Sequence, residues 1–246
     1  MTLQLITDKL HGHPDWHGDT LKDLEEFVSL KVPKGKLILY RGQDASWPLL
    51  PYISRINLKN GFLQTELEML RTFKATSRQI LETVPRTDWD WLALAQHHRL
   101  ATRLLDWTRD PYIALWFALR NQPEKRKHEP QVWMFAPEKQ DIIDRKRDTI
   151  PFAGTRTKVF LPSRTFPRLR QQKGAFVVFK HMPNYPKHFV QLEQNQILRR
   201  KLQRIRFPAY KRTELLFELD QRDINEDVMF PNLDSVCQHI LSTNSH

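Results

Sequence analysis

Residues 94–118 read LAQHHRLATRLLDWTRDPYIALWFA, where two apolar runs bracket His97, His98, Arg103, Asp106, Trp107 and Thr108. A plain connector would be built from Gly, Ser or Asn. So many ionisable and aromatic groups mark a packed corner or the wall of a site, and we expect both. Adjacent helical residues point about 100° apart, so the two histidines do not face one ligand; one is expected to be structural, while His97 and Gln96 line a pocket. Arg103 and Asp106 read as a buried ion pair that ties the segment down. Losing Asp106 is then expected to unfold the protein, because stranding a buried charge costs about 3–5 kcal/mol. Trp107 supplies a ring for stacking and Thr108 a hydroxyl, while Leu104, Leu105, Ala114 and Phe117 are expected to be buried. A second signal is LYRGQ, residues 39–43. Arg41 at a strand end, followed by Gly42, would hold a guanidinium fork where the backbone turns, and that fork suits a diphosphate or a carboxylate.

Other chemistries lack their signatures. The ten histidines are scattered and form no H-E-x-x-H, and a single cysteine allows no C-x-x-C, so no metal site is expected. No G-x-S-x-G marks a nucleophile elbow, and Cys237, in the helical pattern DSVCQHI, is expected to be packed rather than reactive. The seven glycines form neither G-x-G-x-x-G nor a phosphate-binding P-loop.

The elements that must position these groups follow from periodicity and caps. DTLKDLEEFVSLK has one apolar helix face at 21, 24, 27 and 28, with Asp19 as the expected N-cap. A strand is expected over 36–40, an irregular stretch over 43–61, and helices over about 63–83 and from Thr87 or Asp88 to the histidines. Another helix starts at Asp110-Pro111. QVWMFA, GAFVVFK and KLQRIRFP read as strands, AYKRTELLFELDQRDI and NLDSVCQHIL as helices, and 137–170 as loops with one short helix. Helices lead and strands follow without βαβ alternation, which predicts an α+β fold: one domain, mostly antiparallel sheet, several helices in the N-terminal half. Residues 1–19 read as an N-terminal extension to a domain spanning 20–246.

The 246 residues, 40% hydrophobic and 11% aromatic, suffice for one large core. No apolar run reaches the roughly 20 residues of a membrane span, and the N-terminus lacks a signal-peptide pattern, so a soluble cytoplasmic protein is expected. The formal charge of +11 attracts polyanions. Much of it falls in 145–212, including DRKRD, SRTFPRLRQQK and RRKLQRIRFPAYKR, and residues 164–212 are the candidate contact for nucleic acid.

YRGQ at 40–43, the block at 92–118, RLRQQKGAFVVF at 168–179 and INEDVMFPNLDSV at 224–236 resemble, in order, the motifs of the FRG domain family, named for a signature like Tyr40-Arg41-Gly42. Arg99-Leu100-Ala101-Thr102 stands where that family usually has Gly-Leu-Pro-Thr, and Asn232 where it usually has an acidic residue. A weaker resemblance is to arginine-type ADP-ribosyltransferases. Arg41 is similar to their NAD-holding arginine, Thr108 takes the place of a motif hydroxyl, and the helix after it is similar in its small and aromatic residues. For their third-motif glutamate the best placed by order is Glu226, with Glu214 and Glu218 behind it. The resemblance implies an NAD-using enzyme, as a toxin or in phage defence, with Arg41, Asp106, Thr108 and Glu226 as the catalytic set. Tyr40, Gly42, Gln43, Gln96, His97, Arg103 and Trp107 would hold the dinucleotide. The residue types alone also fit a non-catalytic nucleotide or nucleic-acid binding module, or a protein-interaction domain.

Overall fold

The structure is a computed structural model that describes residues 3–6, 14–30, 36–58, 61–121, 128–162 and 172–230. Cys237, Asn232, the helix expected over 232–241 and residues 164–171 of the basic segment lie outside the described residues.

Eight strands form one sheet: β1 Gln4–Ile6, β2 Asp15–His17, β3 Leu39–Gln43, β4 Leu104–Thr108, β5 Gln131–Phe135, β6 Lys158–Phe160, β7 Gly174–Val178 and β8 Leu202–Arg206. Their order across the sheet is β1-β2-β8-β5-β3-β4-β7-β6. Every pairing is antiparallel except β2 with β8, so the α+β expectation with a mostly antiparallel sheet holds. The residues read as an extension contribute β1 and β2, which join the sheet through β8. The helices are α1 Leu21–Ser29, α2 Phe62–Ser77, α3 Asp88–His97, α4 Pro111–Leu119, α5 Arg212–Asp220 and the short α6 Glu226–Met229.

Local chemistry explains most boundaries. Thr20, not Asp19, caps α1, because its hydroxyl accepts from the Asp23 amide while the Asp23 carboxylate reaches back to the Thr20 amide. Thr87 caps α3. Asp110 accepts from the amides of Tyr112 and Ile113, with Pro111 at the first position of α4. The sequence of α4, PYIALWFAL, has no charged residue, and a helix apolar all round has to be buried; six of its nine residues are.

Two sequence expectations shift. The segment LLDWT, for which no strand was expected, is strand β4, paired with β7 from Leu104↔Val178 to Thr108↔Gly174. The strand at LYRGQ runs to Gln43, so Arg41 and Gly42 sit inside it, opposite Trp133 and Val132 of β5. No turn occurs there. Gly42 serves a close approach instead: a Cβ built on it would lie 1.8 Å from the Ala114 carbonyl oxygen and 2.7 Å from the Ala118 amide nitrogen. Helix α4 crosses β3 with its backbone against the strand, and only glycine leaves that room.

The sheet has two covered faces. On one, Tyr40, Val132, Met134 and Ile205 pack against α1, α4 and α5, while Leu104, Phe160, Phe176 and Val178 pack under α3. On the other, Leu39, Leu105, Trp107, Trp133, Phe135 and Val177 pack under segments 49–62 and 189–202. Replacing Gly42 by alanine forces backbone against backbone. Gly42→Ala should lower the unfolding free energy by about 3 kcal/mol, the upper end of the usual overpacking range, measured by urea denaturation.

Candidate functional site

Strands β3 and β4 touch at one residue pair only, Tyr40↔Thr108. An antiparallel ladder continued by two residues would set Gly42 against Asp106, but the strands splay there. The opened seam leaves the Asp106 carbonyl without a strand partner, and the Arg41 guanidinium takes that role, Nη1 donating to it at 2.6 Å. This is the only hydrogen bond of the Arg41 side chain among the described residues, and its Nε is shut off from solvent with no partner. Burial pushes the Arg41 pKa below its ordinary value against the pull of Asp106, and Arg55 adds repulsion; a guanidinium remains charged under such a shift.

Above the seam, on the face shared by α3 and α4, the two helices leave a cavity of about 620 Å³. Gly42, Asp106, Thr108, Gly174 and Phe176 border it from the sheet. Gln96, His97, Arg99 and Leu100 close the α3 side, and Ala114, Phe117 and Arg120 the α4 side, with Tyr52 and Phe230 also contributing. The volume lies within the usual range for small-molecule sites. Three guanidiniums, Arg41, Arg99 and Arg120, face one carboxylate, Asp106, so the cavity favours an anion.

Asp106 is held by a short relay of hydrogen bonds. The Thr102 hydroxyl donates to Gln96 Oε1 at 2.7 Å, and Gln96 Nε2 donates to Asp106 Oδ2 at 2.9 Å. Asp106 Oδ1 accepts no hydrogen bond from the described residues, and the side chain is exposed in the middle of a strand whose other residues are buried. Tyr40, at the paired end of the seam, is buried, and burial together with the nearby Asp110 charge pushes its phenol up to about 12.

The remaining predicted residues divide. His97 borders the cavity, while His98 is exposed beyond it. Thr108 borders it too, but its hydroxyl donates to the Gln172 carbonyl at 2.7 Å and accepts from the Asp110 amide at 3.1 Å, locking the entry to α4. Trp107 is among the residues that line the cavity, but it is almost wholly buried. Alternation in β4 puts it opposite Asp106, where its ring packs 5.7 Å from that of Phe135 in the core. Tyr40, Tyr52, Phe117, Phe176 and Phe230 also border the cavity, and Phe117 is accordingly only part-buried rather than buried as expected. Gln43 also points away, its Oε1 accepting from Gln131 Nε2 and Trp133 Nε1.

Arg103 is buried, but its partner is not Asp106. Glu66 of α2 takes the guanidinium in two-pronged fashion and also accepts from the Arg103 amide at 3.0 Å. Glu226 does not border the cavity; it is exposed on α6 and pairs with Arg120 at 3.1 Å. Glu214 pairs with Lys211, outside the site. Of the basic segment, Arg204 is buried and paired with Asp15, and Lys201 is paired with Glu138 and Asp141. Part of the positive charge of 164–212 is therefore neutralised within the fold, while Lys187 and Arg200 are exposed. Among the described residues, no three His, Cys, Asp or Glu side chains gather to hold a metal, and no helix is long and apolar enough to cross a membrane.

Sequence reading missed Arg120 and Arg99 as site residues. Arg120 caps α4 and lies under rings, its guanidinium carbon 4.5 Å from the Phe230 centroid and 5.0 Å from that of Trp116; its place three residues after Phe117 was the available signal. Arg99 has φ +64°, a left-handed conformation that costs a residue with a Cβ roughly 1 kcal/mol. The Arg99 amide bonds to Gln96 O and the Leu100 amide to Ala95 O, the paired bonds of a Schellman C-cap, where glycine is the usual occupant. That is the position at which the resembled family has its glycine.

The FRG domain profile matches residues 36–127. The stretch includes β3, α3, β4 and α4, and with them Arg41, Gln96, Arg99, Asp106 and Arg120; the motif-like blocks at 168–179 and 224–236 lie outside it. No curated protein and no solved structure matches the chain, and the ADP-ribosyltransferase resemblance has no counterpart among the comparisons.

The roles of the two carboxylates can be separated by stability. Glu66→Ala should cost about 3–5 kcal/mol by stranding Arg103. Asp106→Asn, which keeps the exposed shape and loses one charge, should shift stability by less than about 1 kcal/mol. Paired thermal melts decide between them.

Proposed function

Residues 36–127 carry an FRG domain, and from that premise we propose that the cavity over the β3–β4 seam binds a nucleotide carrying a diphosphate, with NAD as the leading candidate, and that the protein is an ADP-ribosyltransferase-like enzyme. The observation that carries this reading is the pairing of an under-used, rigidly held guanidinium with a single oriented carboxylate across the same seam. Arg41 has donors to spare for a bidentate phosphate contact. Arg99 and Arg120 bring further positive charge, and Phe117, Phe230 and Tyr52 offer ring faces for a base or a nicotinamide.

NAD supplies a ribose whose bond to nicotinamide is poised to break. In the proposed transfer that C–N bond breaks, nicotinamide leaves with the bonding electrons, and the ribose carbon takes a lone pair from the acceptor nucleophile. The acceptor's proton passes to Asp106 Oδ1 or to water. A carboxylate held by Gln96 beside the ribose would stabilise the positive charge that develops there. Glu226, which pairs with Arg120 but does not itself border the cavity, has no part in this reading; Asp106 takes the role the resemblance gave to a glutamate. A toxin or phage-defence setting accords with such a transfer.

A second reading, a nucleotide-binding module without turnover, is favoured by one observation, the Thr108 hydroxyl already committed to Gln172 and Asp110. Purified protein incubated with NAD separates the two. Release of nicotinamide that Asp106→Asn abolishes, with NAD still bound, supports the enzyme. Binding of NAD with no release supports the module, and no binding of NAD or ADP-ribose by calorimetry overturns both. Arg41→Lys should weaken ADP-ribose binding about tenfold or more, since an ammonium cannot form the two-pronged contact, while the melting temperature stays within a few degrees of the wild type's.

A further inference from the structure

The three arginines that border the cavity differ in what the protein does with them. Arg41 is tied to the Asp106 carbonyl, and Arg120 is paired with Glu226 and covered by rings. Arg99 is exposed, and among the described residues its guanidinium makes no hydrogen bond, ion pair or ring contact. It also stands at the one position of the α3 C-cap where the backbone has to be left-handed, a conformation glycine reaches without steric cost. A long cation placed there weakens the fold and bonds to nothing in it. Strain of this kind persists where the side chain has another task.

Building on the nucleotide reading of the cavity, we infer that Arg99 is a ligand-contacting residue whose guanidinium closes over the phosphates of the bound nucleotide, opposite Arg41. Its neighbours on the same turn, Gln96 and His97, border the cavity as well, so the reversed chain at residue 99 sets the arginine beside the end of α3 that holds Asp106. Arg41 then fixes the phosphates from the sheet and Arg99 from the rim. The site discriminates by phosphate charge, preferring ADP-ribose and NAD over adenosine.

The test compares the wild type with Arg99→Gly and Arg99→Lys, reading melting temperature and calorimetric affinity for ADP-ribose and adenosine. Arg99→Gly should raise the melting temperature by about 2–4 °C, the usual effect of relieving such strain in a chain of this size. It should weaken ADP-ribose binding about 10- to 100-fold, as the loss of a charge-assisted contact does, and leave adenosine binding unchanged. Arg99→Lys keeps the strain and the charge but not the fork, so it should melt with the wild type and bind ADP-ribose with intermediate affinity. If Arg99→Gly is more stable but binds ADP-ribose as the wild type does, the arginine serves only the end of α3, and the inference falls while the nucleotide reading stands. Equal losses for ADP-ribose and adenosine, or a lower melting temperature in Arg99→Gly, also overturn it. A wild type that binds neither compound removes the nucleotide reading itself, and this inference with it.

Discussion

Helix α4 rests on β3 with no side chain between their backbones at Gly42. Ala114 and Ala118 are the two points of contact, and the closeness of that crossing sets the geometry of everything around it. It buries an uncharged helix, fixes where Phe117 and Arg120 emerge, and leaves the space beside α4 that α3 does not fill. A larger residue at 42 would lift the helix away and change the shape of the cavity before it altered any group in it. Glycine at this place is a matter of interatomic distance, not of a turn.

The second constraint is the seam. A sheet is a continuous ladder because unpaired backbone groups are costly away from water, yet β3 and β4 part after one residue pair. The protein meets the cost at Asp106 with a guanidinium instead of an amide. This substitution has a chemical consequence. An amide donates one hydrogen bond and is satisfied, whereas a guanidinium with five N–H groups keeps a surplus of donors and a full charge. Opening the sheet thus converts a structural gap into an anion-attracting one, next to the only carboxylate that borders it among the described residues.

Part of the high net charge is bound up inside the fold. Several of the cations in the C-terminal half are internal. Arg204 bonds to Asp15 and Gln131, and Gln131 in turn bonds to the Gln43 that also receives Trp133 Nε1. Arg206 also pairs with Asp15. Arg103 is enclosed with Glu66. These arginines hold β8 to β2 and β4 to α2, and their charge is neutralised where it stands.

Much of this was legible in the residues. Asp110-Pro111 announced the start of α4 because a carboxylate satisfies the first free amides of a helix and proline needs none there; the period of two in LQRIR announced β8. Arg41, Gln96, His97 and Asp106 could be named as site residues because their types are uncommon between apolar runs. Which way they face was decided elsewhere. Reading LLDWT as a strand would have placed Trp107 opposite Asp106 by parity, but only the pairing with β7 makes it a strand. The partner of Arg103 lies 37 residues away on another helix, a separation over which no local pattern carries information. Arg99 gains its meaning from a backbone angle that the helix end imposes, and Gly42 from a helix that arrives more than 70 residues later in the chain. Sequence determined the elements, their caps and the chemical types available, because these follow from neighbours a few residues apart. Tertiary structure alone decided the open seam, the buried ion pairs and the side of the sheet that carries the cavity, because each depends on contact between segments that meet only once the chain has folded.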